Sequence, residues 1–394
     1  MAKYKIQTAV LVLIAFALGC NEFIIVGILS DISRQLAVST SQVGYLVTLF
    51  ALVYAISTPI ITIFVSSFNR FKTFIVLLVV FIISNTLSGL ANSYTFLAFS
   101  RIITALVAEV IISIAMTFAS VIASPEKRGM IISWIFSGFS IASVFGVPMG
   151  TMISSMFGWR FAFYAISLVS IATLILAAYL LPRNIKQVKS SLKLQISLIQ
   201  DPRIYISMLL PMFSLAAVYT VYTYIQPLLS RNLHFSIAGI AWMLSAYGIA
   251  TIISNQLSGK LVTHGGLKKM PVIYLIQTFI LLALSISLKS QLTGVINLIF
   301  IGITMYLISS PVQIHFLNIA EQDYPQSMVL ASSLNSIFAN FGISLGSASG
   351  SIMAFKVGLN NLGIIGAVYA VISMLLTIRL NKIVKSYRIS KPKE

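Results

Sequence analysis

Long apolar runs recur along the whole chain and are broken at intervals by short polar stretches; Phe74 to Ile83 and Ile166 to Leu181 are typical. A helix rising 1.5 Å per residue needs about twenty such residues to cross a hydrocarbon layer of about 30 Å. The pattern predicts twelve membrane spans, at roughly residues 7–30, 42–66, 72–91, 95–122, 130–156, 161–181, 204–228, 237–260, 270–288, 292–318, 328–352 and 361–380. The least apolar interior stretch, LPRNIKQVKSSLKLQISLIQDPR from Leu181 to Arg203, divides them six and six. The expected fold is an all-α polytopic membrane protein of two six-helix bundles, over 1–182 and 204–380. A linker over 183–203 joins them and a basic tail over 381–394 follows.

The halves resemble each other. A shift of 200 residues lays the fifth span on the eleventh and matches Pro125 with Pro325, Ser133 with Ser333, Gly146 with Gly346 and Gly150 with Gly350. A shift of 197 puts Phe50-Ala51 on Tyr247-Gly248 and Thr62 on Gly259. Both shifts are near half the chain, as a duplicated bundle would give, and internal repeats are the usual architecture of secondary transporters.

Composition agrees with the pattern. The 394 residues are 58% hydrophobic and 9% charged, where a soluble domain carries about 25% charged residues. The net charge of +18 suggests a polyanion partner until the 26 basic residues are placed. With both termini cytoplasmic, twenty fall on the inner side, from Lys3 and Lys5 to the six between Arg379 and Lys393. Arg34, Arg160, Arg231, Lys289 and Lys356 fall outside, and Arg101 lies within a span. That asymmetry is the positive-inside rule; it brings the tail close to anionic membrane lipid and leaves nothing for nucleic acid to explain. Cys20 is the single cysteine, so no internal disulfide forms, and His234, His264 and His315 have no metal-ligand spacing. No nucleophile stands with a plausible base, which argues against an enzyme, and no metal or cofactor is expected.

Eight acids remain. Glu126, Asp201, Glu321, Asp323 and Glu394 fall in inner loops or the tail, and Asp31 caps the outer end of the first span beside Arg34. Glu22 and Glu109 alone lie inside spans, where an ionised group costs about 2.5–3.5 kcal/mol even on lenient insertion scales. Such an acid is either a proton carrier and counter-ion for substrate or a structural group bonded to neighbouring helices. Both readings stay open for Glu22 and Glu109. Arg101 sits eight residues before Glu109, a rise of about 12 Å along one helix, so the two are not local partners; it tunes a proton path or bonds helices together.

Small residues recur every four positions in the fifth span, at Gly138, Ala142, Gly146 and Gly150, with Pro148 among them, and again at Gly342, Gly346 and Gly350. This spacing lets helices approach closely, and a proline there bends the helix. Tyr219, Tyr222 and Gln226 share one helical face of the seventh span; with Asn21, Trp242, Tyr247, Tyr306, Asn335, Phe338 and Asn340 they are the candidate cavity lining. Aromatic walls with one or two carboxyls suit small amphipathic molecules, cationic or aromatic.

The run Asn21-Glu22-Phe23-Ile24-Ile25-Val26-Gly27-Ile28-Leu29, the segment Gly146-Val147-Pro148-Met149-Gly150 closed by Gly158-Trp159-Arg160, Arg101 in the fourth span and Pro125-Glu126-Lys127-Arg128-Gly129 carry a family resemblance. So does Gly259-x-Leu261-Val262-Thr263-His264-x-Gly266. Together they resemble the major facilitator superfamily, and within it the twelve-helix drug:proton antiporters of bacteria. The resemblance implies a proton-coupled antiporter that exports a small organic molecule by alternating access from a bacterial cytoplasmic membrane, working as a monomer. It assigns proton coupling to Glu22 and matches Arg101 to the arginine of the fourth-helix motif; Glu109 stands where relatives tend to carry glycine and joins the coupling candidates, with Asp31, from its own position in the chain. Departures are clear: Ser30 stands where proline is usual, and the first-half loop has Thr62 and Ser66 for glycine and aspartate, leaving Arg70 and Lys72 as the basic part of the gate. A proton symporter importing sugar or nucleoside, and an exporter of lipids or siderophores, are the rival readings on the same fold.

Overall fold

A computed structural model describes residues 2–65, 68–122, 125–183, 197–263 and 265–390, and nearly all of them are helical. Among the described residues, eleven helices are long and apolar enough to cross a membrane. Large apolar side chains such as Val76, Ile83, Leu168, Phe279 and Val368 lie exposed, as a surface bathed in lipid rather than water allows. Two compact units form. The first comprises Met1–Ser190, Ile225–Arg231 and Phe235–Gly248; the second comprises Ser191–Tyr224, Asn232–His234 and Ile249–Glu394.

The first unit contains α1 (Ala2–Gln35), α2 (Thr40–Val65), α3 (Arg70–Gly89), α4 (Tyr94–Ile122), α5 (Pro125–Ile141), α6 (Val147–Phe157) and α7 (Trp159–Leu180). Asn69 caps α3 by accepting the Lys72 amide at 3.0 Å, satisfying one of the donors that every helix start leaves open. α1 is the central element and packs against α2, α5, α6 and α7. The four-residue glycine repeat explains how closely it does so. A Cβ at Gly138 would lie 2.5 Å from the Val12 carbonyl oxygen, and one at Gly146 or Gly150 would run into Cys20 or Ile24. The fifth span is not one helix: a π turn, Ala142–Gly146, separates α5 from α6. Pro148 has no N–H to give the carbonyl four residues back, and that carbonyl, on Val144, accepts instead from the Ser245 hydroxyl at 2.9 Å. A neighbouring serine thus fills the bond the proline vacates.

The second unit contains α8 (Pro202–Tyr222), α10 (Met270–Leu282), α11 (Gln291–Thr304), α12 (Ser309–Asp323), α13 (Met328–Lys356) and α14 (Leu362–Ser390), and takes the later part of α9 (Ile237–Thr263), from Ile249. α13 packs on α8 through the same device as the fifth span uses on the first: Gly342, Gly346 and Gly350 sit against the backbone at Met212, Ala216 and Thr220. Two expected spans are interrupted. The ninth tightens at Ala283, beside the point where Gly363 of α14 sits on the Leu281 carbonyl, and resumes as the short turn Leu284–Ser287. The tenth breaks between Thr304 and Ser309, ahead of Pro311, whose ring is incompatible with a regular bond to the carbonyl four residues before it.

One charged knot ties α8, α12 and α14 together at the end where α8 begins. Asp201 caps α8 by accepting the Arg203 amide at 2.8 Å. The Arg203 guanidinium reaches Asp201 at 2.6 Å and Asp323 at 2.7 Å, and lies over the Tyr387 ring at 4.5 Å. Burial pushes the Asp201 carboxyl up, but the hydrogen bonds and charge of Arg203, joined by the Tyr324 hydroxyl, outweigh it and hold it below the usual carboxylate value. A depressed carboxyl contributes stability above its unfolded value, about 3.9, and the contribution fades as pH falls through the folded value. In thermal unfolding in detergent, Asp201→Asn is expected to be less stable than wild type at pH 7, with the gap closing below about pH 4.

Candidate functional site

Asn21 and Glu22 are neighbours at the middle of α1 and point about 100° apart, since 3.6 residues complete a turn. Asn21 therefore faces the interior of the first bundle and is fully buried, while Glu22 sits partly exposed. On α4, Arg101 has 0% exposure. Its Nη1 donates to Asn21 Oδ1 at 2.6 Å, and its guanidinium lies 4.2 Å from the centroid of Phe50. The Asn21 amide donates in turn to Asn85 Oδ1 on α3. The Asn85 amide donates to the Phe163 carbonyl and to Ser167 Oγ on α7, each at 2.9 Å. One polar chain thus joins α4, α1, α3 and α7 where no bulk water reaches. Buried polar groups need such partners, and a buried charge needs them most.

The chain does not satisfy Arg101 completely. Its Nε and Nη2 are buried without a hydrogen-bond partner among the described residues. Glu22 lies within electrostatic reach of Arg101 and of Glu109. Glu109, 9% exposed on α4, accepts a hydrogen bond from the Tyr54 hydroxyl of α2. Phe50 and Tyr54 are one turn apart with ring centroids at 6.1 Å, so α2 offers one ring to the cation and the next to the carboxyl. Among the described residues, neither Glu22 nor Glu109 makes an ion pair within 4.0 Å. The first bundle therefore holds one cation and two carboxyls close enough to feel one another, none locked in a salt bridge.

The remaining candidates are placed as follows. Asp31 pairs with the exposed Arg34 at 3.3 Å and accepts the Ser154 hydroxyl at 2.6 Å. Gln226 is buried, and its Oε1 accepts the Ser30 N–H at 3.0 Å. A proline at position 30 could not make that bond, which gives the departure from the family pattern a structural use. Tyr219 and Tyr222 are buried in the second unit with their rings in edge contact, centroids 5.3 Å apart. Tyr247 and Asn340 are also buried. Tyr306, Asn335 and Phe338 are half-buried, and Trp242 stands 77% exposed. Arg70 opens α3 and is half-buried, and Lys72 is exposed, while Ser66, Ser67 and His264 of the two loops lie outside the described residues.

Four members of the constellation, Phe50, Tyr54, Asn85 and Ser167, were not anticipated from the sequence. An asparagine inside a span was the available signal for Asn85. The Phe50–Tyr54 spacing reads equally well as ordinary apolar packing.

Comparison with known proteins agrees with this architecture. The model of the Major Facilitator Superfamily matches residues 11–329. The MFS-type transporter YtbD of Bacillus subtilis is 32% identical over 92% of both chains. The inner membrane transport protein YdhP of Escherichia coli is 26% identical over 92% of both. Among solved structures, an inward-facing bacterial homologue of the lysosomal transporter Spinster superposes with a TM-score of 0.77 at 18% identity, covering 97% of this chain and 98% of that one. The chain belongs to the major facilitator superfamily: it is a multi-span membrane transporter and not an enzyme.

Replacing Asn85 by leucine would leave the Asn21 amide, the Phe163 carbonyl and Ser167 without their shared partner. Unsatisfied buried groups cost about 1–3 kcal/mol each set free. Thermal unfolding of Asn85→Leu in detergent is expected to show a loss of at least that size, whereas Asp31→Asn, which loses only the charge facing the exposed Arg34 and keeps an amide oxygen, stays within about 1 kcal/mol of wild type.

Proposed function

We propose that the protein is a proton-coupled antiporter that exports a small amphipathic organic molecule, cationic or aromatic, by alternating access. The observation that carries this reading is the unlocked triad of Glu22, Glu109 and Arg101 inside the first bundle. Ionisable groups in the membrane interior are costly, and a protein keeps them there for ion or proton movement. A carboxyl removed from water binds and releases a proton at cellular pH when its surroundings balance burial against a nearby cation.

Glu22 is the exchangeable member. Its partial exposure gives proton and substrate access to it, while Glu109 is buried and bonded to Tyr54. When Glu22 is protonated, Arg101 rests on Asn21; when Glu22 is ionised, the free donors of Arg101 have a carboxylate to answer. Substrate and proton then compete for one carboxyl, and substrate binding weakens in acid. Protons moving inward supply about 2.3 kcal/mol per 100 mV of membrane potential, besides the pH difference. In the orientation set by the basic residues, both termini are cytoplasmic and the carrier sits in the bacterial cytoplasmic membrane as a monomer. Asn21 serves this site through Arg101, and the half-buried Tyr306, Asn335 and Phe338 with the exposed Trp242 are the candidates for substrate contact.

The test is a compound-panel transport assay in proteoliposomes under imposed pH gradients of either sense. Wild type is expected to accumulate substrate against the proton gradient. Glu22→Gln is expected to fall to the protein-free background while folding normally. Full gradient-driven transport by Glu22→Gln overturns the assignment, and accumulation in the same direction as the proton flux makes the protein a symporter.

A further inference from the structure

The seam between α1 and α5 holds a trench of about 580 Å³ that the transport reading does not use. It lies wholly within the first unit. Its walls are Val12, Leu13 and Phe16 of α1 and Ile131, Trp134 and Ile141 of α5; Tyr4, Lys5 and Thr8 stand at one end and Ala9 lines the trench near them. The first and fifth spans run parallel in constant register, with Gly138 of α5 beside Val12, Gly146 of the π turn beside Cys20 and Gly150 of α6 beside Ile24. The trench therefore follows the seam from Lys5 and Ile131 to Phe16 and Ile141. Eleven residue steps from Lys5 to Phe16 rise about 17 Å, close to half of a hydrocarbon core of about 30 Å. Beyond Phe16 the seam shuts, since a Cβ at Gly19 would lie 2.9 Å from the Ala142 methyl.

We propose that this trench is the seat of one anionic phospholipid from the cytoplasmic leaflet. An apolar channel one leaflet long suits a single acyl chain. The polar groups gather at the end where α1 leaves the membrane, which is where a headgroup lies. Lys5 is exposed there, and among the described residues no carboxylate pairs with it, so its charge is available to a phosphodiester. The Thr8 hydroxyl donates to the Tyr4 carbonyl at 2.8 Å, which leaves its oxygen turned to the same end. Closure of the seam at Gly19 makes the occupant a resident rather than a molecule in passage.

The experiment is native mass spectrometry of the full chain in detergent, titrated with dioleoylphosphatidylglycerol or dioleoylphosphatidylcholine. Wild type is expected to retain the anionic lipid about fivefold better, the effect of one lysine near a headgroup. Lys5→Gln is expected to bring that ratio to about one while still binding the zwitterionic lipid. Ala9→Phe, at an exposed position on the trench floor, is expected to weaken both lipids, and so is Trp134→Ala, which removes a wall without touching the core. An unchanged lipid preference in Lys5→Gln overturns the proposal, as does full retention by both Ala9→Phe and Trp134→Ala. Competitive displacement of the phosphatidylglycerol by tetraphenylphosphonium also overturns it, by making the trench part of the transport path.

Discussion

A guanidinium buried among membrane helices must be held by groups that reach it, and Arg101 is held by Asn21. This one bond determines much of the first bundle. It requires Asn21 to face inward, which turns Glu22, the next residue, toward the partly open face of α1. It requires a partner for the other end of the Asn21 amide, and Asn85 supplies it from α3, anchored in turn on α7. Four helices are thereby fixed in rotation by hydrogen bonds, where apolar packing against lipid-like side chains would leave their rotation loosely specified. Phe50 completes the shell by laying its π face on the cation, a contact that gains strength where water is excluded.

The same scarcity of water governs the backbone. Every carbonyl and amide must find a partner inside the protein, so each irregularity in a span has to be answered by a neighbour. Pro148 frees the Val144 carbonyl and Ser245 takes it; the Ser30 amide goes to Gln226; the Tyr306 amide goes to Ser254 and the Ser310 amide to Ser258. Serine and glutamine at these places look unremarkable in a hydropathy trace, yet they make kinked spans possible. The glycine repeats do the complementary task, letting α5 lie on α1 and α13 on α8 at backbone contact, and α6 close over the Ile24 side chain.

These two classes of constraint explain what was legible in the sequence. The spans and the intramembrane acids follow from the cost of charge and the length of apolar runs, so Glu22, Glu109 and Arg101 stood out by residue type alone. The interruptions of the ninth and tenth spans did not, because an apolar run has the same hydropathy whether its helix is continuous or broken. Neutral amides and hydroxyls cost less in a span than a charge does and mark a site more weakly, and of these Asn85, Tyr54 and Ser167 went unnoticed. Tyr219, Tyr222 and Gln226 do share a helical sector, but periodicity marks a face without saying whether it meets a cavity or another helix. Here the two tyrosines lie in the core of the second unit and Gln226 serves a backbone amide of α1.

Two carboxyls and a cation left unpaired in a low-dielectric interior form an arrangement whose charge state is easily changed, and the account of coupling rests on Glu22 being the member that changes it. The most direct measurement is the transient charge displacement on a solid-supported membrane after a pH jump without substrate. Wild type and Asp31→Asn are predicted to give a displacement current of similar size, and Glu22→Gln none. A full-sized current from Glu22→Gln would show that the proton binds elsewhere and would contradict the account.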